Sequence, residues 1–169
     1  YNDNDTISLN ITVTESGSRK KRVVVEEFTG TWCGYCPRGS LKLIELSEAE
    51  KRVIPVAIHG GSDDEPMQTD YGNQLIEDIP GAYPGAAIDR FKFSGQSSVR
   101  LNESNWEEKI MNRLENPSPV LVEINNKYEP CTGNLDIAVK AEFISDTKGD
   151  FRFNAYIVED NVTGGSEYD

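Results

Sequence analysis

Residues 23–39 read VVVEEFTGTWCGYCPRG: a run from Val23 to Phe28 that opens on three β-branched valines, leading into Trp32-Cys33-Gly34-Tyr35-Cys36 and then Pro37. The run reads as a buried strand, and the residues that follow, with Leu41, Ile44 and Leu43 at helical spacing, read as a helix beginning at the cysteine pair. That order decides the fold, because a strand ending just before Cys33 and a helix starting there set the first sulfur at a helix N-terminus. Free N–H groups and the macrodipole favour the thiolate at that place. Cys33 is therefore the expected nucleophile, partly exposed, and Cys36, one turn further in, the expected resolving thiol. Gly34 and Tyr35 permit the tight turn between them, Arg38 adds a nearby cation, and Pro37 is tolerated where first-turn N–H groups lack intrahelical partners.

A C-x-x-C pair alone also fits a zinc site or a structural staple. Zinc needs four ligands, and Cys and His reach four here only by combining Cys33, Cys36, Cys131 and the single His59, with no second C-x-x-C or H-x-x-H. A staple over so short a loop removes little unfolded-state entropy. A redox role remains, and it requires no metal and no organic cofactor. His59, after a strand, reads as a loop or packing residue with no serine-centred motif nearby. Cys131, in a turn signal between "YEP" and "TGN", reads as a lone thiol.

The chain has 169 residues and a formal net charge of -12, which argues against binding a phosphate backbone. Its acidic residues are scattered, as on a solvated surface, and no apolar run reaches the length of about 20 residues that spans a bilayer. The start, "YNDNDT", has neither the basic nor the apolar region of a targeting segment. Three cysteines leave the redox compartment open.

Three regions follow from periodicity. Residues 1–19 form an N-terminal strand, with Ile7, Leu9, Ile11 and Val13 at period two, and a basic linker. Residues 20–116 alternate strand and helix, which predicts a sheet at least partly parallel: strands at 22–28 and 53–58, a helix capped by Asp63 or Asp64 with Leu75, Ile76 and Ile79 inward, a strand at "GAAID", and a helix with a Ser104–Glu107 capping box and a Trp106, Ile110, Leu114 stripe. Pro117 and Pro119 stop that helix. Residues 117–169 turn purely β, with "VLVEI", "LDIAVKAEFI" and "FRFNAYIVE" as three alternating strands, too few for a complete sandwich.

The stretch "VVVEEFTGTWCGYC" resembles the strand, Trp-Cys-x-x-Cys and helix of thioredoxin and the protein disulfide isomerase domains, with Trp32 immediately before the nucleophile. The resemblance implies that Glu27, rather than its neighbour Glu26, is the inward acid that exchanges a proton with Cys36. It also implies that Tyr83-Pro84, ahead of Pro80, supplies a cis proline beside the dithiol. More of the chain, including "IPVAIHGGSDDEPM", "GAYPGAAIDR" and "FRFNAYIVEDNVTG", is similar to the Bacteroides-type outer-membrane lipoprotein family, in which a thioredoxin-like domain precedes a β-sandwich-like one. That likeness implies a bacterial cell-envelope location and a lipid anchor upstream of Tyr1.

The resulting expectation is an α/β protein: a thioredoxin-like domain with an N-terminal strand and a C-terminal β-rich, partial β-sandwich segment. Its expected activity is thiol–disulfide exchange with protein thiols and disulfides through Cys33, Cys36, Glu27 and Pro84, supported by Trp32, Gly34, Tyr35 and Tyr83. The other expectation compatible with the residues is a surface-binding lipoprotein module whose dithiol is vestigial.

Overall fold

The computed structural model describes residues 21–149 and 151–162 and the backbone of residues 10–13. The expected strand residues Ile7 and Leu9, and the polar end at 163–169, lie outside the described residues. Among the described residues the architecture is mixed α/β with two sheets and three helices, in two compact units. One unit holds 10–13 with 117–149 and 151–153; the other holds 21–116 with 154–162. The C-terminal residues are thus divided between units, whereas the sequence pattern suggests one β-rich segment over 117–169.

The first strand, β1 (Asn10–Val13), belongs to the β-rich unit. The larger unit begins with β2 (Val23–Thr29), followed by α1 (Cys36–Ala49), β3 (Val53–His59), α2 (Asp70–Asp78), β4 (Gly85–Ile88), β5 (Arg100–Asn102) and α3 (Trp106–Glu115). Its sheet has the order β3-β2-β4-β5, with β2 parallel to β3 from Val23↔Val53 to Thr29↔His59 and antiparallel to β4 from Val25↔Ile88 to Phe28↔Gly85. Because side chains alternate along a strand, Val23 and Val25 face one layer and Val24 and Phe28 the other. The first layer packs against Leu43 and Leu46 of α1 and Trp106, Ile110 and Leu114 of α3. The second packs with Val56, Ile58, Ile79 and Ala87, with Leu75 and Ile76 of α2 lying against them.

Helices on both faces change two sequence expectations. Glu26 and Glu27 point to opposite layers, yet both are buried at 2% exposure, so neither is an edge carboxylate. Burying charge without a partner is costly, and each finds one. Glu26 accepts one bifurcated hydrogen bond from Arg90 Nε, 3.0 and 2.9 Å from its two oxygens, another from Arg90 Nη2 at 2.6 Å, and one from the Tyr156 hydroxyl. In α1 the inward stripe is Cys36, Gly39, Leu43 and Leu46, while Leu41 and Ile44 are 61% and 50% exposed. The helix therefore buries the face of Cys36, Leu43 and Leu46 rather than that of Leu41 and Ile44.

Capping differs as well. Thr69, not Asp63 or Asp64, caps α2, its Oγ1 accepting from Gly72 N at 3.0 Å. A 3-10 turn over Glu103–Asn105 precedes α3, so Ser104 forms no capping box; Asn102 Oδ1 accepts from its N–H at 3.2 Å instead.

In the smaller unit, β6 (Val120–Glu129) and β7 (Asn134–Phe143) form a hairpin whose turn places Gly133 at φ +73°, a conformation glycine adopts without a Cβ clash. β1 pairs parallel to β7, giving the order β1-β7-β6. The third expected strand does not form: residues 151–159 carry no regular secondary structure. Alternation describes side chains on a paired ladder, and here Tyr156 instead joins the buried Glu26–Arg90 pair.

Candidate active site around the Cys33–Cys36 disulfide

The loop between β2 and α1 carries the cysteines. Two turns shape it, with Cys33 N–H donating to Gly30 O at 3.1 Å and Cys36 N–H to Cys33 O at 3.0 Å. The helix starts at Cys36, so Cys33 stands in the turn before it and Tyr35 takes the cap position. The two sulfurs form a disulfide, with Cα atoms 5.4 Å apart. Cys33 is 6% exposed and Cys36 2%. The first cysteine is thus less open than its position suggests. Gly34 and Tyr35 are exposed at the tip. Arg38 is turned from the role its position suggests, since its guanidinium pairs with Glu103 at 2.6 Å.

Glu27, two residues before the end of β2, faces α1. Ser40 Oγ donates to Glu27 Oε1 at 2.9 Å, and burial pushes the carboxyl up from 4.5 to about 7 against the opposing pull of that hydrogen bond. The Tyr83–Pro84 peptide is cis. Gly39 shows how closely these parts meet: a Cβ there would lie 2.8 Å from Pro84 Cβ and 3.1 Å from Glu27 Oε1. The proline ring and the buried carboxyl therefore flank one glycine in the first turn of α1, a turn that starts at Cys36.

Beside the disulfide the exposed Trp32 packs on the half-buried Tyr83. Their rings meet edge to face with centroids 5.1 Å apart, and Trp32 Nε1 donates to Gly60 O at 2.9 Å. Behind Trp32 lies an acid that the sequence does not mark. Glu65, in the polar stretch "GSDDEPM", is buried and accepts from Thr31 N at 2.6 Å, Thr31 Oγ1 at 2.9 Å and Met67 N at 3.3 Å, with His59 Nδ1 at 3.0 Å. Burial alone would raise its pKa, but the bonds from Thr31, His59 and Met67 outweigh it and hold the carboxyl below its usual range. His59 is thereby assigned: it anchors a loop. Gly39, Ser40 and Glu65 have no signal in the sequence, since a glycine in a helix, a serine and one acid among several are each ordinary. Cys131 is an exposed free thiol in the other unit, within the hairpin turn.

The arrangement has the parts for thiol chemistry: a closed dithiol, a proton-holding carboxyl near neutrality behind the first helical turn, and an aromatic rim. No family model and no curated protein matches the chain. Among solved structures it is similar to HBP35 of Porphyromonas gingivalis, at 26% identity and a TM-score of 0.53, over 66% of this chain and 39% of that one. A protein of Agrobacterium tumefaciens is more distant, at 16% identity and a TM-score of 0.44, over 66% of this chain and 54% of that one. This chain therefore spans about two-fifths of HBP35, and the likeness is compatible with the mixed α/β architecture, with its disulfide at C-x-x-C spacing.

Proposed function

We propose that the larger unit is a thioredoxin-like domain and that the protein is a thiol–disulfide oxidoreductase of the bacterial cell envelope, acting on protein thiols and disulfides. The observation that carries the reading is the convergence of the Cys33–Cys36 disulfide, the cis Pro84 and the buried Glu27 on one turn of α1. The cell-envelope part rests on the resemblance to the Bacteroides-type lipoprotein family, with which a Bacteroidetes structural neighbour is consistent.

In the reducing direction the Cys33 thiolate attacks a sulfur of the partner disulfide and displaces one partner thiolate, leaving a mixed disulfide. Cys36 then gives its proton to the Glu27 carboxylate and attacks Cys33, expelling the second partner thiolate. The partner gains two electrons, and the protein is left with the Cys33–Cys36 disulfide. Oxidation of a partner dithiol runs the same steps backwards, with Glu27 returning the proton. Trp32, Gly34 and Tyr35 are the exposed residues beside the disulfide against which a partner chain lies.

Insulin reduction by the dithiothreitol-reduced protein, with Cys33→Ser as control, tests the reading. Turnover that is lost in the variant supports it. Equal, background-level rates for both forms would favour the surface-binding module with an inert dithiol. Mass-resolved iodoacetamide labelling of the reduced protein adds a second check: near neutral pH, Cys33 is expected to react faster than Cys36 and Cys131.

A further inference from the structure

Ser40 sits one helical turn after Cys36, half-buried, with its hydroxyl 2.9 Å from Glu27 Oε1 and 3.3 Å from the Cys36 carbonyl oxygen. A serine hydroxyl has one proton to donate and lone pairs to accept with. Facing a carboxylate, it donates to Glu27; facing a protonated carboxyl, it accepts from Glu27 and its own proton is free for the Cys36 carbonyl. The geometry thus offers a satisfied hydrogen bond in either protonation state of the acid.

We propose that Ser40 is a positioning residue for the proton transfer between Glu27 and Cys36, holding the buried carboxyl in place and supporting its ionised form. The inference deepens the oxidoreductase reading and rests on it. Its physical basis is that, among the described residues, little else stabilises the carboxylate. On the neighbouring strands Glu27 is flanked by Ala57 and Ala86. From α1, besides Gly39 and Ser40, the cations are engaged elsewhere, Arg38 with the Glu103 carboxylate and Lys42 with the Glu103 carbonyl at 3.0 Å. Across the same layer Lys109 pairs with Glu108 and Arg113 with Asp89, while Glu107 is exposed. The Ser40 hydrogen bond is the influence that opposes desolvation at Glu27.

Without the hydroxyl the charged form loses its donor, so the Glu27 midpoint moves up, and at neutral pH fewer molecules carry the carboxylate that accepts the Cys36 proton. A rise of about one unit from a midpoint near 7 reduces the ionised fraction at pH 7 about fivefold and leaves it almost unchanged at pH 9.5.

The test uses the full chain in a Cys131→Ser background, with Ser40→Ala and Ser40→Thr. First, the Glu27 carboxyl is titrated in the oxidised protein by carbon-13 NMR; Ser40→Ala is expected to raise its midpoint by about one unit, and Ser40→Thr, which keeps a hydroxyl, to restore it. Second, the mixed disulfide of Cys33 with thionitrobenzoate is formed, and release of the coloured thiolate by Cys36 is followed from pH 6 to 9.5. Ser40→Ala should slow release about fivefold at pH 7 and converge with the parent at pH 9.5. A purely structural serine would leave the Glu27 midpoint and the pH profile of release alone, and an unmoved Glu27 titration overturns the proposal. If the parent fails in insulin reduction while the midpoint still shifts, the oxidoreductase reading falls and the hydrogen-bond assignment stands.

Discussion

Glu27 stores a pH dependence. Its folded-state pKa of about 7 lies above the ordinary 4.5, so folding keeps a proton that the unfolded chain has already released between those values. Stability from the neutral carboxyl is fully present below about pH 4.5 and is lost as pH rises through 7, by about 3 kcal/mol in total. Glu27→Gln, which cannot ionise, is expected to be more stable than the parent by about 2–3 kcal/mol at pH 8 and nearly equal to it at pH 4. Urea unfolding of the oxidised proteins at the two pH values measures this, and a difference independent of pH would contradict the buried assignment. Glu26, equally buried, has Arg90 forked around its carboxylate. Two adjacent glutamates in one strand thus have different partners, set by which layer each faces. The sequence offers only the alternation, and the partner comes from 64 positions away.

The first turn of α1 is where helix, strand and cis proline are fitted together. Gly39→Ala would drive a methyl to 2.8 Å from Pro84 Cβ, so despite alanine's better helix propensity it is expected to cost about 1–3 kcal/mol. It should also displace Glu27, which lies 3.1 Å from the same point, and a lowered urea midpoint together with a shifted Glu27 titration would register both effects. Further along the helix the inward stripe separates two leucines that look alike in sequence. Leu43→Ala, at a buried position among Val25, Leu46 and Trp106, should destabilise by about 2–5 kcal/mol. Leu41→Ala, exposed, should change stability by less than about 0.5 kcal/mol. Equal effects from the two would show that the helix is rotated from the phase described.

Across the larger unit, the core residues of both layers fall between Val23 and Leu114, so the fold of that unit is built from one continuous stretch. The later residues 154–162 attach to it without regular secondary structure, through polar contacts such as the Tyr156 hydroxyl on Glu26. Tyr156→Phe is therefore expected to cost only about 1 kcal/mol, since Arg90 continues to satisfy the carboxylate. Limited proteolysis should then cut within 154–162 sooner than in the parent, with 21–116 left intact; cleavage inside β2 or α1 first would refute this hierarchy. In the smaller unit, Val122 and Ile124 are exposed on the face that alternation marks as apolar, and Ala141 is the buried member of that face.

Periodicity makes several elements legible. β2, β3 and β4 follow from short runs between helix and turn signals, the Trp106–Ile110–Leu114 stripe and the hairpin strands from periods of 3.6 and two, and the C-x-x-C pair between a strand and a helix is enough to locate the dithiol. Those signals are local because backbone geometry imposes them within a few residues. The cap of α2, the phase of α1, the fate of 151–159 and the burial of both glutamates depend instead on what packs across the sheet. So do Ser40 and Glu65, whose functions exist only through partners 13 and 34 positions away. A hydroxyl or a carboxyl has the same local signature whether it faces water or a desolvated acid, and only the assembled layers, by removing water from one side, turn that chemical identity into a role.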